Sequence, residues 1–312
     1  MRIKKFNLQN FRKAKDFQRK ELAQDVDRMC KESGFILLNG HGVPDDVIKE
    51  QWHAVSNFFS QSQELKTRVS APYPGYPYGW IGPDKEALAA SKGIKTPPDL
   101  KESFNGGPLF IPLGISDKQA YEFCYQPTLF PEVEGFKEAW ISYYREMEKL
   151  AKEIMEVFAL ALGLDSDYFN EFINHPISAL RALNYPPIKN VKKLDQQRAG
   201  AHTDFGSLTI LLPEPRSVGL QIFWGGKWIN VPPTDDCFII NIGDLMELWT
   251  SNRWVSTLHR VVAKSNQPGR LSLAFFHQPD WDAEIRPIFN GSPAMSVKSG
   301  QYLMKKFLST AN

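Results

Sequence analysis

The chain contains little cysteine, almost no net charge and no long apolar run. Its three cysteines, Cys30, Cys124 and Cys237, are too few and too scattered for a disulfide framework or a cysteine-rich zinc site. Isolated cysteines of this kind are usually buried thiols in a reducing compartment. We therefore expect a cytoplasmic protein with buried thiols.

The near absence of net charge bears on the possible partners. The sequence has 37 basic and 35 acidic residues, a formal balance of +2, which provides no strong field for nucleic acid or an anionic membrane surface. No segment approaches the roughly 18 uninterrupted apolar residues of a membrane span, and no apolar run of signal-peptide length follows the first residues. We expect a monomer that binds neither nucleic acid nor membrane.

The hydrophobic pattern predicts one domain over residues 1–312, since no linker or repeat divides it. Residues 1–176 have mainly helical periodicity, interrupted by a segment rich in proline, glycine and aromatic residues at 70–112. We interpret that segment as a substrate-facing lid, although an inert surface loop fits it equally well. Residues 177–290 contain short apolar strands between glycine and proline turns, which is typical of a jelly roll or barrel. Residues 291–312 predict a C-terminal helix that closes over the barrel mouth.

A metal site is indicated by His202 and Asp204, which lie two residues apart in a run that predicts a β-strand. Residues i and i+2 of a strand point to the same face, so both side chains can bind one ion. His259, beside a second β-branched stretch, supplies a third donor. Two imidazoles and one carboxylate on one side of a metal are typical of non-haem Fe(II) oxygenases. A zinc hydrolase uses the same donor types, so the sequence leaves that alternative open.

Arg270 and Ser272 show the same two-residue spacing on another predicted strand, which places a guanidinium and a hydroxyl on one face. The planar guanidinium can hold a carboxylate through two charge-assisted hydrogen bonds. Alone, Arg270 would more often form a surface salt bridge. A neighbouring metal site favours the role of an anion anchor instead.

Short motifs follow one another in a defined order along most of the chain. They are Gly34-Phe35, Asn39-Gly40-His41-Gly42-Val43-Pro44, Lys101-Glu102-Ser103-Phe104, Asn184-Tyr185-Pro186-Pro187, His202-Thr203-Asp204, Gly219-Leu220-Gln221, Asn241-Ile242-Gly243-Asp244, Ser256-Thr257-Leu258-His259-Arg260-Val261 and Arg270-Leu271-Ser272-Leu273-Ala274-Phe275-Phe276. With this series the sequence resembles the isopenicillin N synthase-like family of Fe(II)- and 2-oxoglutarate-dependent oxygenases. A lone His-x-Asp is weak evidence, whereas the ordered series is highly specific.

The resemblance implies a mainly β fold with flanking helices, whose core is a double-stranded β-helix (jelly roll, cupin-like) preceded by a helical N-terminal part. It implies Fe(II) held by His202, Asp204 and His259 at the barrel mouth, with O₂ and 2-oxoglutarate as cosubstrates. The residues that it implies for 2-oxoglutarate are Arg270, Ser272 and Tyr185 at the distal carboxylate and Asn184 nearer the metal.

Several side chains match regions that line the pockets of this family. The candidates for substrate contacts are Tyr78, Trp80, Phe104, Phe205, Phe223, Phe276 and His277. Aromatic walls suit a small, partly apolar organic substrate. Each of these side chains fits the hydrophobic core equally well.

The implied reaction oxidises an unactivated C–H bond of a small natural-product or amino-acid-like substrate, as in secondary metabolism, and forms succinate and CO₂ from 2-oxoglutarate. Hydroxylation, desaturation and oxidative cyclisation share the ligand set, which does not distinguish them. Two alternatives stay open at this point. One is an Fe(II) oxidase of the isopenicillin N synthase type that does not use 2-oxoglutarate. The other is a non-catalytic jelly-roll binding module.

Overall fold

The computed structural model describes residues 3–191, 193, 195–232, 235–289 and 296–308. Its N-terminal half alternates helices with short strands, and two 3₁₀ turns occupy Leu88–Lys92 and Asn170–Phe172. In order, the elements are β1 (Lys5–Asn7), α1 (Leu8–Lys13), α2 (Asp16–Glu32), β2 (Phe35–Asn39), α3 (Asp45–Phe59), α4 (Gln63–Thr67), β3 (Gly79–Ile81), β4 (Glu102–Gly106), α5 (Lys118–Cys124) and α6 (Phe136–Ala161).

The C-terminal half consists mainly of strands, as its short apolar runs predicted. In order, the elements are β5 (Ala179–Tyr185), β6 (Ala199–His202), β7 (Leu208–Pro213), β8 (Leu220–Trp224), β9 (Lys227–Asn230), β10 (Phe238–Ile242), α7 (Asp244–Trp249), β11 (His259–Val261), β12 (Arg270–His277), β13 (Glu284–Ile285), β14 (Val297–Lys298) and α8 (Ser299–Leu308).

Two sheets pack face to face and form the centre of the molecule. The larger sheet has eight strands in the order β1-β2-β10-β7-β12-β5-β4-β3, and the smaller has four in the order β6-β11-β8-β9. One apolar cluster contains side chains from both sheets, among them Leu37, Ile239, Ile222 and Val261. Mainly antiparallel sheets around a shared interior form the jelly-roll core, so the predicted mainly β fold with flanking helices is confirmed.

The larger sheet has two distinct faces. We call the side toward the smaller sheet its inner face and the opposite side its outer face. Strand alternation assigns neighbouring residues to different faces: Leu273 and Phe275 join the outer apolar cluster, whereas Ala274 between them joins the inner one. The amphipathic helix α6 covers the outer face and buries Trp140 and Tyr144 completely.

The predicted boundaries between parts of the chain are crossed by the larger sheet. Strands β1 to β4 precede residue 177 and still pair within it, and the segment 70–112 contributes β3 and β4 as its edge. Much of the predicted lid is therefore scaffold. Of the predicted C-terminal helix at 291–312, the structure has α8, while residues 290–295 and 309–312 lie outside the described residues.

All three cysteines are buried, as the sequence predicted. Within the described part of the chain, no helix is both long and apolar enough to cross a membrane.

Candidate metal and cosubstrate site

Three donors converge at one end of the interior between the sheets. His202 ends β6 and His259 begins β11, and the two residues are directly paired in the smaller sheet. Asp204 follows β6, and its Oδ1 lies 3.7 Å from the Nε2 atoms of both histidines. All three ligand atoms lie within 4.8 Å of one another. The predicted continuous strand through Asp204 is wrong, because β6 ends at His202 and the carboxylate comes from the loop beyond it.

Hydrogen bonds orient each donor toward a common point. Nδ1 of His202 lies 2.7 Å from the carbonyl oxygen of Gly200, and Nδ1 of His259 lies 3.0 Å from that of Thr257. An Nδ1–H that donates to a carbonyl leaves Nε2 with its lone pair directed at an ion. The carboxylate of Asp204 is held in the same way on its other oxygen.

That oxygen, Asp204 Oδ2, accepts hydrogen bonds from Thr209 Oγ1 at 2.5 Å and Asn241 Nδ2 at 2.7 Å. Both donors stand on the inner face of the larger sheet, in the paired strands β7 and β10. The larger sheet therefore fixes the carboxylate, while the smaller sheet fixes the two imidazoles. A site assembled in this way depends on the packing of one sheet against the other.

The electrostatics favour the protonation states that a metal requires. Burial and the neighbouring His259 lower the pKa of His202, so this imidazole is neutral at neutral pH. Burial opposes ionisation of Asp204, but His259, His202 and the hydrogen bond from Asn241 outweigh it and lower the pKa of the carboxyl. Neutral imidazoles with one carboxylate leave positions open on the far side of an ion, which fits Fe(II) in an oxygenase.

A second polar group of residues lies farther along the same inner face. Arg270 opens β12 directly opposite Tyr185 of β5, and its guanidinium carbon lies 4.8 Å from the centre of the tyrosine ring. The arginine is 6% exposed, and within the described residues it donates one hydrogen bond, from Nη1 to the carbonyl of Val218 at 3.3 Å. Its Nε and the buried Oγ of Ser272 have no hydrogen-bond partner in the part of the chain that the structure describes. A buried guanidinium and hydroxyl without partners fit the carboxylate of a bound molecule.

The prediction that Asn184 contacts the cosubstrate is wrong for a simple geometric reason. Asn184 and Tyr185 are adjacent in β5, so their side chains point to opposite faces of the sheet. Tyr185 joins the inner apolar cluster. The Asn184 amide, on the outer face, donates to Glu102 Oε1 at 2.8 Å.

Strand alternation also places Trp80 and Phe104 away from the inner face, so their prediction as substrate contacts is wrong. These residues pair across β3 and β4 and lie on the outer face. Phe104 is completely buried, with its ring centre 5.2 Å from that of Phe58 and 5.1 Å from that of Phe136. Trp80 Nε1 donates to Glu102 Oε2 at 2.7 Å. Both side chains belong to the scaffold.

Tyr78 and His277 are likewise held by the protein itself. The Tyr78 hydroxyl donates to the carbonyl of Cys124 at 2.6 Å, and the residue is 6% exposed. His277 alternates with the inward Phe276 and is 2% exposed, and its Nδ1 lies 2.8 Å from Ser207 Oγ. The structure places both as buried packing residues, which corrects their prediction as substrate contacts.

Of the remaining candidates, Phe276 and Phe205 stay near the site, whereas Phe223 does not. Phe276 packs against the inner apolar cluster at the level of the triad, opposite Thr209. Phe205 follows Asp204, and its ring centre lies 5.6 Å from that of Phe307 in α8. Phe223 is 40% exposed and packs on Trp228 at the outside of the smaller sheet. Their contact with a substrate stays a prediction for Phe276 and Phe205 and is corrected for Phe223.

Polar residues that sequence reasoning missed line the same interior. Ser103 and Asn105 flank Phe104 in β4, so an outward Phe104 requires both to lie on the inner face. They pair with Leu183 and Arg181 of β5. Strand alternation around Phe104 was the signal that would have identified them.

A cluster of charged side chains connects the inner face of β4 and β5 to the strand β6 that carries His202. Glu86 forms ion pairs with Lys101 and with Arg181 Nη1, the latter at 3.2 Å. Asp99 Oδ2 lies 3.9 Å from Lys101 Nζ, and its Oδ1 accepts from the backbone of Gly200 at 2.9 Å, which ties the cluster to β6. Burial opposes ionisation of Glu86, but Arg181 and Lys101 lower the pKa of its carboxyl to about 2. Burial raises the pKa of Asp99 to about 6, although Lys101 opposes that shift.

Comparisons with known proteins agree with this geometry. Residues 3–133 match the model of the N-terminal region of non-haem dioxygenases in morphine synthesis, and residues 175–279 match that of the 2OG-Fe(II) oxygenase superfamily. A validamycin A dioxygenase of Streptomyces hygroscopicus subsp. limoneus is 31% identical over 96% of this chain and 84% of its own length. The 2-oxoglutarate-dependent dioxygenase citB of Monascus ruber is 32% identical over 86% and 82%.

Solved structures show the same fold. A full-length protein of Neurospora crassa, crystallised in complex with alpha-KG and thymine, superimposes with a TM-score of 0.86 at 26% identity, over 99% of this chain and 97% of that one. A 2OG-Fe(II) oxygenase family protein of Caulobacter crescentus superimposes with a TM-score of 0.83 at 26% identity, over 98% of both chains.

Proposed function

Since the chain belongs to the 2OG-Fe(II) oxygenase superfamily, as an enzyme that uses Fe(II), 2-oxoglutarate and O₂, we propose that it oxidises an unactivated C–H bond of a small natural-product or amino-acid-like molecule. Hydroxylation, desaturation and oxidative cyclisation are the reaction types within this proposal, with succinate and CO₂ as co-products. The relative named validamycin A dioxygenase supports a small organic molecule as the substrate.

We assign the iron to His202, Asp204 and His259, because their ligand atoms converge and their remaining polar atoms are already bonded to the protein. When bound, the iron supplies the site at which O₂ is reduced with electrons from 2-oxoglutarate and substrate. Asn241 and Thr209 keep the carboxylate ionised and aimed. Their hydrogen bonds leave Oδ1 as the atom available for the metal.

The observation that carries the proposal is the unpaired state of Arg270. A buried arginine without a carboxylate partner among the described residues is costly unless an anion joins it. Ser272 stands two residues farther along the same face, and Phe276, four residues beyond Ser272, pairs with the Thr209 that binds Asp204. Four residues of strand span about 13 Å. An extended five-carbon dicarboxylate fits such a span when the side chains of Arg270 and Ser272 hold one end and a bond to the metal holds the other.

Apolar side chains separate the two ends of this pocket. Leu183, Leu211 and Ala274 belong to the inner cluster between the anion anchor and the triad, and Ile222 faces them from the smaller sheet. They exclude water from the region where the keto acid would lie. A dry interior strengthens the ionic contacts of Arg270 and limits uncoupled oxidation.

Anaerobic addition of Fe(II) and 2-oxoglutarate tests the assignment, since chelation of iron by the keto acid produces a visible charge-transfer band. We expect the band in the wild type, its loss in His202→Ala, and a higher 2-oxoglutarate requirement in Arg270→Gln. Succinate formation per O₂ consumed then separates a 2-oxoglutarate-dependent reaction from an oxidase that does not use it. A wild-type protein that binds Fe(II) without developing the band at saturating 2-oxoglutarate would refute the proposal.

A further inference from the structure

We propose that Asn105 and Arg181 form the substrate-recognition subsite, and that it binds a planar amide group, such as a lactam or an imide. This inference rests on the function proposed above and names the chemical class of its substrate. Three observations support it. The two residues are directly paired, the Asn105 amide has no partner among the described residues, and an ion pair holds Arg181 in place.

The two residues lie side by side on the inner face. Asn105 of β4 is directly paired with Arg181 of β5, which in turn is paired with Ala274 of β12. Directly paired residues of antiparallel strands have Cβ atoms about 5 Å apart. Ala274 lies between Ser272 and Phe276 along the path from the anion anchor to the triad. Asn105 and Arg181 therefore border that path on the side of the sheet edge, where a second molecule can lie.

Asn105 is a buried amide whose polar atoms have no partner among the described residues. The residue is 5% exposed, and within those residues neither its Nδ2 nor its Oδ1 forms a hydrogen bond. An unpaired buried amide is costly, and a native structure usually retains one for a bound partner or for water. Its two atoms present one donor and one acceptor in a single plane.

Arg181 offers further donors next to this amide. Among the described residues its hydrogen bonds run from Nη1 alone, to Glu86 Oε1 at 3.2 Å and Oε2 at 3.4 Å. The remaining nitrogens, Nε and Nη2, stay available, and the side chain is 15% exposed. Glu86 also pairs with Lys101, which the neighbouring Asp99 links to β6. The cluster thus holds the guanidinium in place beside the metal ligands.

The available donor and acceptor atoms of Asn105 and Arg181 determine which chemical group of a substrate can form hydrogen bonds with all of them. An amide of the substrate donates its N–H to Asn105 Oδ1 and accepts from Asn105 Nδ2 through its carbonyl. A second carbonyl oxygen, as in an imide, accepts from the free nitrogens of Arg181. A carboxylate would pair with Arg181 but leave Asn105 Oδ1 without a donor, which is unfavourable in a buried site. An amide-type group is therefore favoured over a carboxylate.

The test uses the protein loaded with Zn(II) and 2-oxoglutarate, in which ligand-observed NMR measures the binding of small fragments. The amide probes are 2-pyrrolidinone, glutarimide and uracil, compared with their N-methyl derivatives and with the carboxylates benzoate and cyclopentanecarboxylate. We expect the N–H amides to bind, and N-methylation to weaken binding at least about tenfold through loss of one hydrogen bond in a buried site.

Variants connect this preference to the subsite. Asn105→Leu keeps the volume and should abolish the difference between N–H and N-methyl probes. Asn105→Asp replaces the donor by an acceptor and should weaken all carbonyl probes. The matched control is Asn230→Leu, at an exposed asparagine of β9 that accepts from Gln221 at 2.9 Å, which should keep the wild-type preference. The melting temperature of each variant shows whether it is folded.

The proposal is overturned if N-methylated and unmethylated probes bind the wild-type protein equally, if carboxylates bind better, or if none of the probes binds. The first comparison needs no variant, so it remains decisive even where Asn105→Leu does not fold. The charge-transfer band with Fe(II) and 2-oxoglutarate is measured on the same wild-type preparation. A normal band without amide preference rejects the subsite alone, whereas a missing band rejects the proposed oxygenase function.

Discussion

Replacing Arg270 by methionine should weaken 2-oxoglutarate binding without weakening the fold. Arg270 is 6% exposed, and among the described residues its guanidinium has no carboxylate partner and donates one long hydrogen bond. Burial and the nearby Arg270 lower the pKa of Arg198 to about 10, so the two guanidinium groups also repel each other. Methionine removes this unpaired charge and fills a similar volume.

The magnitudes follow from these contacts. Each hydrogen bond to a charged group contributes about 1.5 to 3 kcal/mol, and a bidentate carboxylate contact contains two. The dissociation constant of 2-oxoglutarate should therefore rise about 100-fold or more. The melting temperature of the metal-free protein should stay unchanged or rise by about 2 °C, since the lost contact with the Tyr185 ring offsets part of the gain.

The matched control is Arg253→Met, at an arginine that does have a carboxylate partner. Arg253 Nε and Nη2 donate to the two oxygens of Asp27 at 2.9 and 3.0 Å. Its replacement leaves a largely buried carboxylate short of donors and should cost about 1 to 3 kcal/mol of stability without changing 2-oxoglutarate affinity. Titration calorimetry and thermal unfolding measure both quantities. If Arg270→Met unfolds earlier than the wild type and binds 2-oxoglutarate normally, the anion-anchor reasoning is refuted.

Three further predictions concern the metal, the pH dependence and the core. Asn241→Leu removes one hydrogen bond from Asp204 Oδ2 and should lower Fe(II) or Mn(II) affinity about 10- to 100-fold, by anaerobic titration; unchanged affinity contradicts an orienting role. Burial lowers the pKa of His277 from 6.5 to about 4, so its contribution to stability is complete above pH 6.5 and is lost as the pH falls toward 4. Urea unfolding should show a smaller loss between pH 7 and 4 in His277→Leu, and an equal loss argues against this residue. Phe104→Ala should cost about 3 to 5 kcal/mol in the same assay, whereas a changed substrate KM at unchanged stability would restore Phe104 to the substrate pocket.

Much of the site could be predicted from local sequence patterns. The spacing of His202 and Asp204 and the separate His259 identified three donors that the structure brings together, and the spacing of Arg270 and Ser272 predicted the proposed anion anchor. Short-range spacing is informative for Arg270 and Ser272 because a strand alternates its side chains with a period of two, whereas Asp204 comes from the loop after β6. The same rule, had it been applied to Tyr185, would have excluded its neighbour Asn184 from the same face.

The inner face of β4 could not be predicted from these sequence patterns. Aromatic composition pointed to Phe104, but the structure buries this ring under α6 and leaves Ser103 and Asn105 on the inner face. Which face of β4 is inner depends on the helix that covers the other side of the sheet. The face that becomes the inner one depends on packing between distant parts of the chain, which cannot be inferred from amino-acid composition.

The sequence by itself therefore determined which donors exist and in what order they occur, and that Arg270 and Ser272 share a strand face. Only the tertiary structure decided that His202 and His259 pair across β6 and β11, while Asp204 is held from the opposite sheet by Thr209 and Asn241. It also decided that Asn105 lies beside Arg181, with an amide that has no partner among the described residues. The physical reason is that strand periodicity is a local property of the backbone, whereas the meeting of two sheets depends on contacts between residues far apart in the chain.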